Sequence, residues 1–166
     1  MLTRRATLLS LVAITTLAGG NDIAAQGQGR GGGGGRGGPP MTPVVYRQQI
    51  MQQLQQSTGA LTGIRNGTVG TASHLVPRAL ILQQLAIMLP DAFTPNPTGE
   101  TTRALPAIWE NAADFASKAQ ALRTAADALL EAARSGNADA IATAQQGIGP
   151  TCQGCHMAYR GPAPGA

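Results

Sequence analysis

The feature that most constrains the fold is a pair of cysteines set three residues apart on one face of a predicted helix. The last apolar stretch of the 166-residue chain repeats every three or four residues, as an amphipathic helix does. Its apolar members are Ile141, Ala144, Ile148, Cys152, Cys155 and Tyr159. Such a face is buried in a folded domain. The group that the two thiols hold is therefore expected to belong to the core.

The complete motif is C-x-x-C-H, formed by Cys152, Gln153, Gly154, Cys155 and His156, and this spacing is typical of covalent haem attachment. Two thiols on one helix face can each add to a vinyl group on the same edge of a porphyrin. The adjacent imidazole is a common axial ligand of haem iron. The sequence thus predicts one covalent haem c, held by Cys152 and Cys155, with His156 bound to the iron.

Two other interpretations of the motif are weaker. A structural zinc ion needs four ligands, and the other histidine of the chain, His74, stands alone in the sequence. A redox-active disulfide is expected within a βαβ pattern, and the sequence around the motif does not have one.

Helical periodicity also runs through three earlier segments. The first predicted helix covers about 43–64 and carries Val44, Met51, Leu54, Leu61 and Ile64 on one side. The second ends at Leu89-Pro90 and is marked by Val76, Leu80, Gln83, Ile87 and Met88. The third and longest runs from Leu105 to Ala133, with Gly136 after its end. Asn137 is the predicted cap of the fourth helix, in which Pro150 is expected to produce a bend.

Four helices with mostly short connections predict an all-α domain, an antiparallel up-down-up-down four-helix bundle with covalently bound haem. Large side chains are scarce in it. The five aromatic residues of the chain are Tyr46, Phe93, Trp109, Phe115 and Tyr159. Haem is therefore expected to supply apolar volume that the side chains do not, and the apoprotein to be loosely packed.

Sequence patterns predict four regions along the chain. Residues 1–25 have the basic start, short apolar run and small cleavage-site residues of an export signal peptide, which predicts a periplasmic protein. Residues 26–41 form a Gly/Arg/Pro-rich disordered linker, 42–160 the four-helix cytochrome domain, and 161–166 a flexible tail. No stretch after the signal reaches the ~20 uninterrupted apolar residues of a membrane span, so we expect a soluble protein.

The charge balance gives no sign of a nucleic-acid partner. The formal charge of the whole chain is +4, but four arginines lie in the predicted signal and linker. Residues 41–166 hold eight basic and seven acidic side chains. Two arginines in the linker make a weak electrostatic surface for a polyanion, and we predict no nucleic-acid binding.

Further landmarks of the sequence are Tyr46-Arg47-Gln48, Leu89 to Phe93, Pro106 to Trp109, and Cys152 to Arg160. In this order they resemble the class II c-type cytochromes, the cytochrome c-prime family, which includes low-spin His/Met members. The resemblance covers about 42–160. It implies that Arg47 and Gln48 contact the haem propionates or the distal side, and that Arg160 lies near the proximal imidazole.

The resemblance also places Met51 on the distal side of the haem, where two outcomes are open. If its thioether binds the iron, the site is six-coordinate and suits a single-electron carrier that serves redox partner proteins. If Met51 only packs over the ring, the iron is five-coordinate and the pocket admits NO or CO. We favour the electron carrier and keep the gas-binding protein as the alternative.

An enzymatic role is not predicted. The sequence shows no Ser-His-Asp set, paired carboxylates on a helix face or phosphate-binding glycine loop. A haem peroxidase-like activity is the weakest alternative, because no distal His and Arg pair is visible. Members of the family often dimerise through their first two helices, so the resemblance also allows a homodimer.

Overall fold

The computed structural model describes residues 40–94 and 99–163. The predicted signal peptide, most of the predicted linker and the last three residues of the predicted tail lie outside the described residues. The helices are α1 (Pro43–Arg65), α2 (Leu75–Ala92, preceded by a 3-10 turn at Ala72–His74), α3 (Ala107–Glu110), α4 (Ala112–Ser135) and α5 (Ala138–Tyr159). The four long helices form the predicted four-helix bundle, in which α1 packs on α2, α2 on α4 and α4 on α5. Helices α1 and α5 barely touch each other.

Helix α1 follows its sequence prediction closely. Thr42 caps the helix, because its hydroxyl accepts a hydrogen bond from the Val45 N–H at 3.3 Å, and Pro43 occupies the first turn. Four of the five predicted apolar positions are buried, and Met51 is half-buried against the core.

Helix α2 buries a different face from the one predicted. Its buried residues are Ala79, Leu82, Leu85, Ala86, Leu89 and Ala92. The predicted markers Leu80, Ile87 and Met88 are each about 40% exposed, so their assignment to the core was wrong. The helix also continues past Pro90 to Ala92. Proline removes one hydrogen bond from this last turn, and the Phe93 N–H closes the turn by donating to the Pro90 carbonyl at 3.0 Å.

The segment 72–92 is also long and apolar enough, by composition alone, to cross a membrane. Only 28% of its most apolar 18-residue stretch is buried in the bundle. The apolar side chains on its outer face include Leu80, Ile81, Ile87 and Met88.

The predicted third helix is interrupted. It consists of the single turn α3 and the long helix α4, separated at Asn111, whose φ of −118° and ψ of 48° lie outside the helical region. The indole of Trp109 holds α3 in place by donating to the Phe93 carbonyl at 2.8 Å. Gly136 then ends α4 with a positive φ of 68°, and the Asn137 side chain caps α5 by accepting from the Ala140 N–H at 2.9 Å. Both of these end signals were predicted.

Helix α5 continues through Pro150 and ends against the segment before α3. Ala104 and Arg160 form an isolated antiparallel bridge, and the Leu105 N–H donates to the Tyr159 carbonyl at 3.1 Å. Gly161 is buried and bonded to Arg103 through both its N–H, at 2.7 Å, and its carbonyl, at 2.9 Å. The packed domain therefore includes Gly161, which the sequence had placed in the tail.

Candidate functional site

A cavity of about 830 Å³ lies inside the bundle, and α1 and α5 supply most of its wall. Helices α2 and α4 add apolar side chains, including Leu82, Leu89, Phe115 and Leu122. Residues 102–104 also line it. Cavities of about 300–1,000 Å³ are typical of ligand and cofactor sites, so this space is large enough for one.

The C-x-x-C-H motif lies on the α5 wall of the cavity. Cys152, Cys155 and His156 all line it, are half-buried, and follow one another within little more than a helical turn. The cysteines are not joined by a disulfide. Burial raises the pKa of both thiols. Their sulfur atoms therefore reach the cavity as neutral thiols near neutral pH.

The His156 imidazole is held in its neutral form. Burial lowers its pKa, and the nearby charges of Arg160 and Arg103 lower it further. A neutral ring nitrogen is the form that binds a metal ion. The pairing of 103–105 with 159–161 brings both arginines to this end of α5.

Met51 lies on the α1 wall of the same cavity. Leu54, one turn later, also lines the cavity, whereas Ile50 points into the core and is only 2% exposed. His74 is exposed and takes no part in the wall. Met157 is 78% exposed and does not line the cavity.

Arg47 is placed deeper than the sequence suggested. It lines the cavity but is only 3% exposed, and its Nε donates to the Ala92 carbonyl at 2.7 Å. Its guanidinium lies 5.0 Å from the Phe93 ring centre and 5.4 Å from that of Trp109. Burial lowers its pKa. Arg47 therefore joins α1 to the end of α2. Gln48, its neighbour, is exposed at the cavity wall.

Two cations of the site were not singled out from the sequence. Arg103 and Lys118 both line the cavity, together with Arg47 and Arg160. None of the carboxylates in the described part of the chain does so. Lys118 interrupts the apolar face formed by Phe115, Ala119 and Leu122, and a charge in that position is the signal that was available. The sequence around Arg103 does not indicate its role, because its position depends on the bridge between Ala104 and the distant residue Arg160.

Comparison with known proteins agrees with this geometry. Residues 42–160 match the family model described as cytochrome C'. The chain belongs to the cytochrome c' family. It is 38% identical over 120 residues to cytochrome c-556 of Agrobacterium fabrum, covering 70% of this chain and 80% of that one. It is 31% identical over 122 residues to cytochrome c' of Alcaligenes xylosoxydans xylosoxydans, covering 73% and 94%.

Solved structures of cytochrome c' share the bundle. A variant of the Alcaligenes xylosoxidans protein with nitric oxide bound is 30% identical, with a TM-score of 0.64, and covers 72% of this chain and 94% of its own. Another variant of that protein has been solved with carbon monoxide bound. The proteins of this family are soluble haem proteins, and the cofactor of this chain is covalently bound haem c.

The residues of the cavity fit such a group. Apolar walls suit a porphyrin, and two thiols from adjacent turns suit a thioether link to each of two vinyl groups. Four cations without a lining carboxylate suit the two negative propionates. The fit is thus seen in shape, in chemistry and in charge.

Proposed function

We propose that Cys152 and Cys155 form the thioether bonds to haem and that His156 is the proximal iron ligand. The arrangement of all three side chains on one wall of the cavity supports this assignment. Each thiol adds across one vinyl group: a carbon–sulfur bond replaces the carbon–carbon π bond, and the thiol hydrogen passes to the other vinyl carbon. The addition needs no external oxidant or reductant.

Replacement of both cysteines with alanine tests the attachment. The double variant should lose all haem on acid-acetone extraction, whereas a Met157→Ala variant should keep it, because Met157 is exposed and outside the cavity. Haem that stays on the double variant through extraction would contradict the assignment.

We propose further that the protein is a single-electron carrier with His156 and Met51 as the axial pair. The observation that carries this proposal is the position of Met51, which faces the cavity from α1 while His156 faces it from α5. Haem supplies the iron that changes between the ferrous and ferric states. The thioether of Met51 favours the ferrous state and raises the reduction potential. The apolar side chains of the cavity wall would keep water from bound iron.

The spectrum of the oxidised holoprotein tests this ligation. We expect a low-spin spectrum with a weak near-infrared band from sulfur-to-iron charge transfer. Met51→Ala should make the iron high-spin and lower the potential. Met88→Ala is the matched control, because Met88 lies on the outer face of α2, and it should change neither property. A five-coordinate, high-spin wild type at neutral pH would exclude Met51 as a ligand.

The alternative is a gas-binding haem protein. The cytochrome c' structures with nitric oxide and carbon monoxide bound favour it, because their variants share this fold at 30% identity. In that case Met51 packs over an open iron position. The reduced wild type should then bind carbon monoxide readily, and Met51→Ala should change only the binding rate. An electron carrier with Met51 on the iron should resist carbon monoxide until that residue is replaced.

We propose that the protein is exported to the periplasm, where it exchanges electrons with partner proteins. The predicted signal in residues 1–25 supports this location. Cell fractionation and N-terminal sequencing test it, and the mature chain should begin at Gln26. A mature protein that retains residues 1–25 would contradict it.

We propose that two copies of the chain associate through α1 and α2. The exposed apolar side chains on this side of the bundle support a dimer. They are Tyr46, Leu80, Ile81, Ile87 and Met88.

A further inference from the structure

A hydrogen bond between α1 and α5 lies at one end of the haem cavity. Gln145 of α5 donates from Nε2 to the Thr62 hydroxyl of α1 at 2.6 Å. Both residues line the cavity, together with Thr58. The four arginine and lysine side chains of the wall are distant from this hydrogen bond in the sequence. Arg47 is 15 residues before Thr62, or roughly 22 Å along α1.

The hydrogen bonds fix the orientation of the Gln145 amide. The Thr62 hydroxyl donates its one hydrogen to the Thr58 carbonyl at 3.0 Å, so towards Gln145 it can only accept. The NH₂ group of Gln145 must therefore face Thr62. Its carbonyl oxygen, Oε1, is the atom left over.

This oxygen is a buried acceptor without a donor. Oε1 of Gln145 has no hydrogen-bond partner in the described part of the chain. The nearby Thr58 hydroxyl does not serve it, because it donates to the Leu54 and Gln55 carbonyls, each at 2.9 Å. An unpaired buried acceptor costs free energy, and native proteins pair the large majority of such atoms with a protein group or an ordered water.

Haem does not provide the missing donor. Its ring edges carry methyl groups and the two thioether links, and its ionised propionates are acceptors only. The propionates are also drawn to the cationic side chains rather than to a neutral amide oxygen. The hydrogen-bond donor to Gln145 Oε1 must therefore be a separate molecule.

We propose that Gln145 and Thr62 form a polar subsite at this end of the cavity, which binds one small neutral hydrogen-bond donor. Water occupies it in the resting protein, and a short alcohol can replace the water. An anion is repelled from the position beside Oε1, because this oxygen carries a partial negative charge and neither Thr58 nor Thr62 has a hydroxyl hydrogen to spare.

Crystal structures of the holoprotein at atomic resolution test the subsite. The wild type should show an ordered water at about 2.7–3.2 Å from Gln145 Oε1. Gln145→Met should lose that water. Gln146→Met is the matched control, because Gln146 is the exposed neighbour on the same helix, and it should keep the water. An Oε1 atom that bonds to a protein donor, or that has no neighbour within this distance, would overturn the proposal.

Soaks with two small probes test the selectivity. Methanol should replace the water, with its oxygen within hydrogen-bond distance of Oε1, and formate should not enter. Formate bound at Gln145 would overturn the claim of neutral selectivity. All of these experiments measure electron density beside Gln145, so their results do not depend on whether Met51 binds the iron.

Discussion

Tyr159 connects α5 to α4 through a partly buried hydrogen bond and a ring contact. Its hydroxyl donates to Asp114 Oδ2 at 2.5 Å, and its ring packs edge-on against Phe115 with centroids 5.4 Å apart. Lys118 lies 3.7 Å from the same carboxylate oxygen. Tyr159 is one turn after His156. The contact therefore sets the position of the helix turn that presents the imidazole.

The same contact predicts a change of stability at alkaline pH. The hydrogen bond to Asp114 and burial raise the pKa of Tyr159 from 10.0 to about 12. The folded state thus favours the neutral phenol more than the unfolded state does. The stabilisation is fully present below pH 10 and is lost as the pH rises towards 12. Tyr159→Phe should be less stable than the wild type at pH 7, with the difference shrinking across this range.

Denaturant midpoints of the holoproteins at neutral pH and between pH 10 and 12 measure this difference. Tyr46→Phe is the control, because Tyr46 is 40% exposed and its hydroxyl has only a 4.0 Å contact with the Met88 sulfur. It should follow the wild type at every pH. A constant gap between the wild type and Tyr159→Phe would show that the phenol does not titrate as described.

At the scale of the helices, sequence periodicity predicted α1 and α5 but not the buried face of α2. Helix α2 has apolar residues nearly all round, from Leu75 to Leu89, so no single face stands out in the sequence. The choice of Ala79, Leu82 and Leu85 as the core face depends on packing against α1 and α4. The break at Asn111 was missed for a related reason, since the apolar period continues across it.

The site residues show the same difference between what helix periodicity predicts and what depends on tertiary contacts. The motif residues and Met51 were predicted to face the haem, and they line one cavity because each lies on a regular helix face. The roles assigned to Gln48 and Arg160 remain predictions. Arg103 and the buried bonds of Arg47 depend on contacts between distant segments, and a single sequence does not reveal these.

One glycine follows the end of α4 and another lies within α5, and replacing each with alanine should change the stability in opposite directions. Gly147 is helical and exposed, and Gly136 ends α4 with φ 68°; a Cβ atom at either would meet nothing within 4 Å. A methyl group has room at both positions, so the backbone conformation decides the sign of the change in stability. Gly147→Ala should stabilise the protein by about 0.5–1 kcal/mol, because alanine favours a helix. Gly136→Ala should destabilise it by about 1–2 kcal/mol, because alanine disfavours a positive φ.

Chemical denaturation of both holoproteins under one condition measures the pair, and each variant is the control for the other. Two changes of the same sign would mean that the local backbone conformation does not govern these positions.

At the scale of the whole molecule, the bundle depends on its cofactor. Helices α1 and α5 barely touch, and the cavity of about 830 Å³ lies largely between them. Without haem, the apolar walls lose their packing partner. Binding that requires the folded state adds to folding stability. The apoprotein should therefore unfold at a lower temperature than the holoprotein and with a broader transition.

Calorimetry of the holoprotein and of the haem-free Cys152→Ala/Cys155→Ala variant measures this effect. Deletion of residues 27–40 from the holoprotein is the control, because a disordered linker, as the sequence predicts for this segment, should contribute no packing and its loss should leave the melting temperature unchanged. Equal melting temperatures and equally sharp transitions with and without haem would mean that the helices alone define the core.

The last prediction concerns the outer face of the bundle, which a soluble protein rarely leaves apolar. Ile81 and Ile87 of α2 are 42% and 39% exposed, and burial of such side chains in a shared interface stabilises association. In a two-fold dimer each substitution occurs twice, so one charge per chain places two like charges at the interface.

Sedimentation should show the wild type as a dimer and Ile81→Lys as a monomer with an unchanged haem spectrum. Ala121→Lys adds the same charge on the exposed side of α4 and should remain dimeric. A wild type that sediments as a monomer at all concentrations would refute the interface, and an Ala121→Lys variant that dissociates would place it on α4 instead.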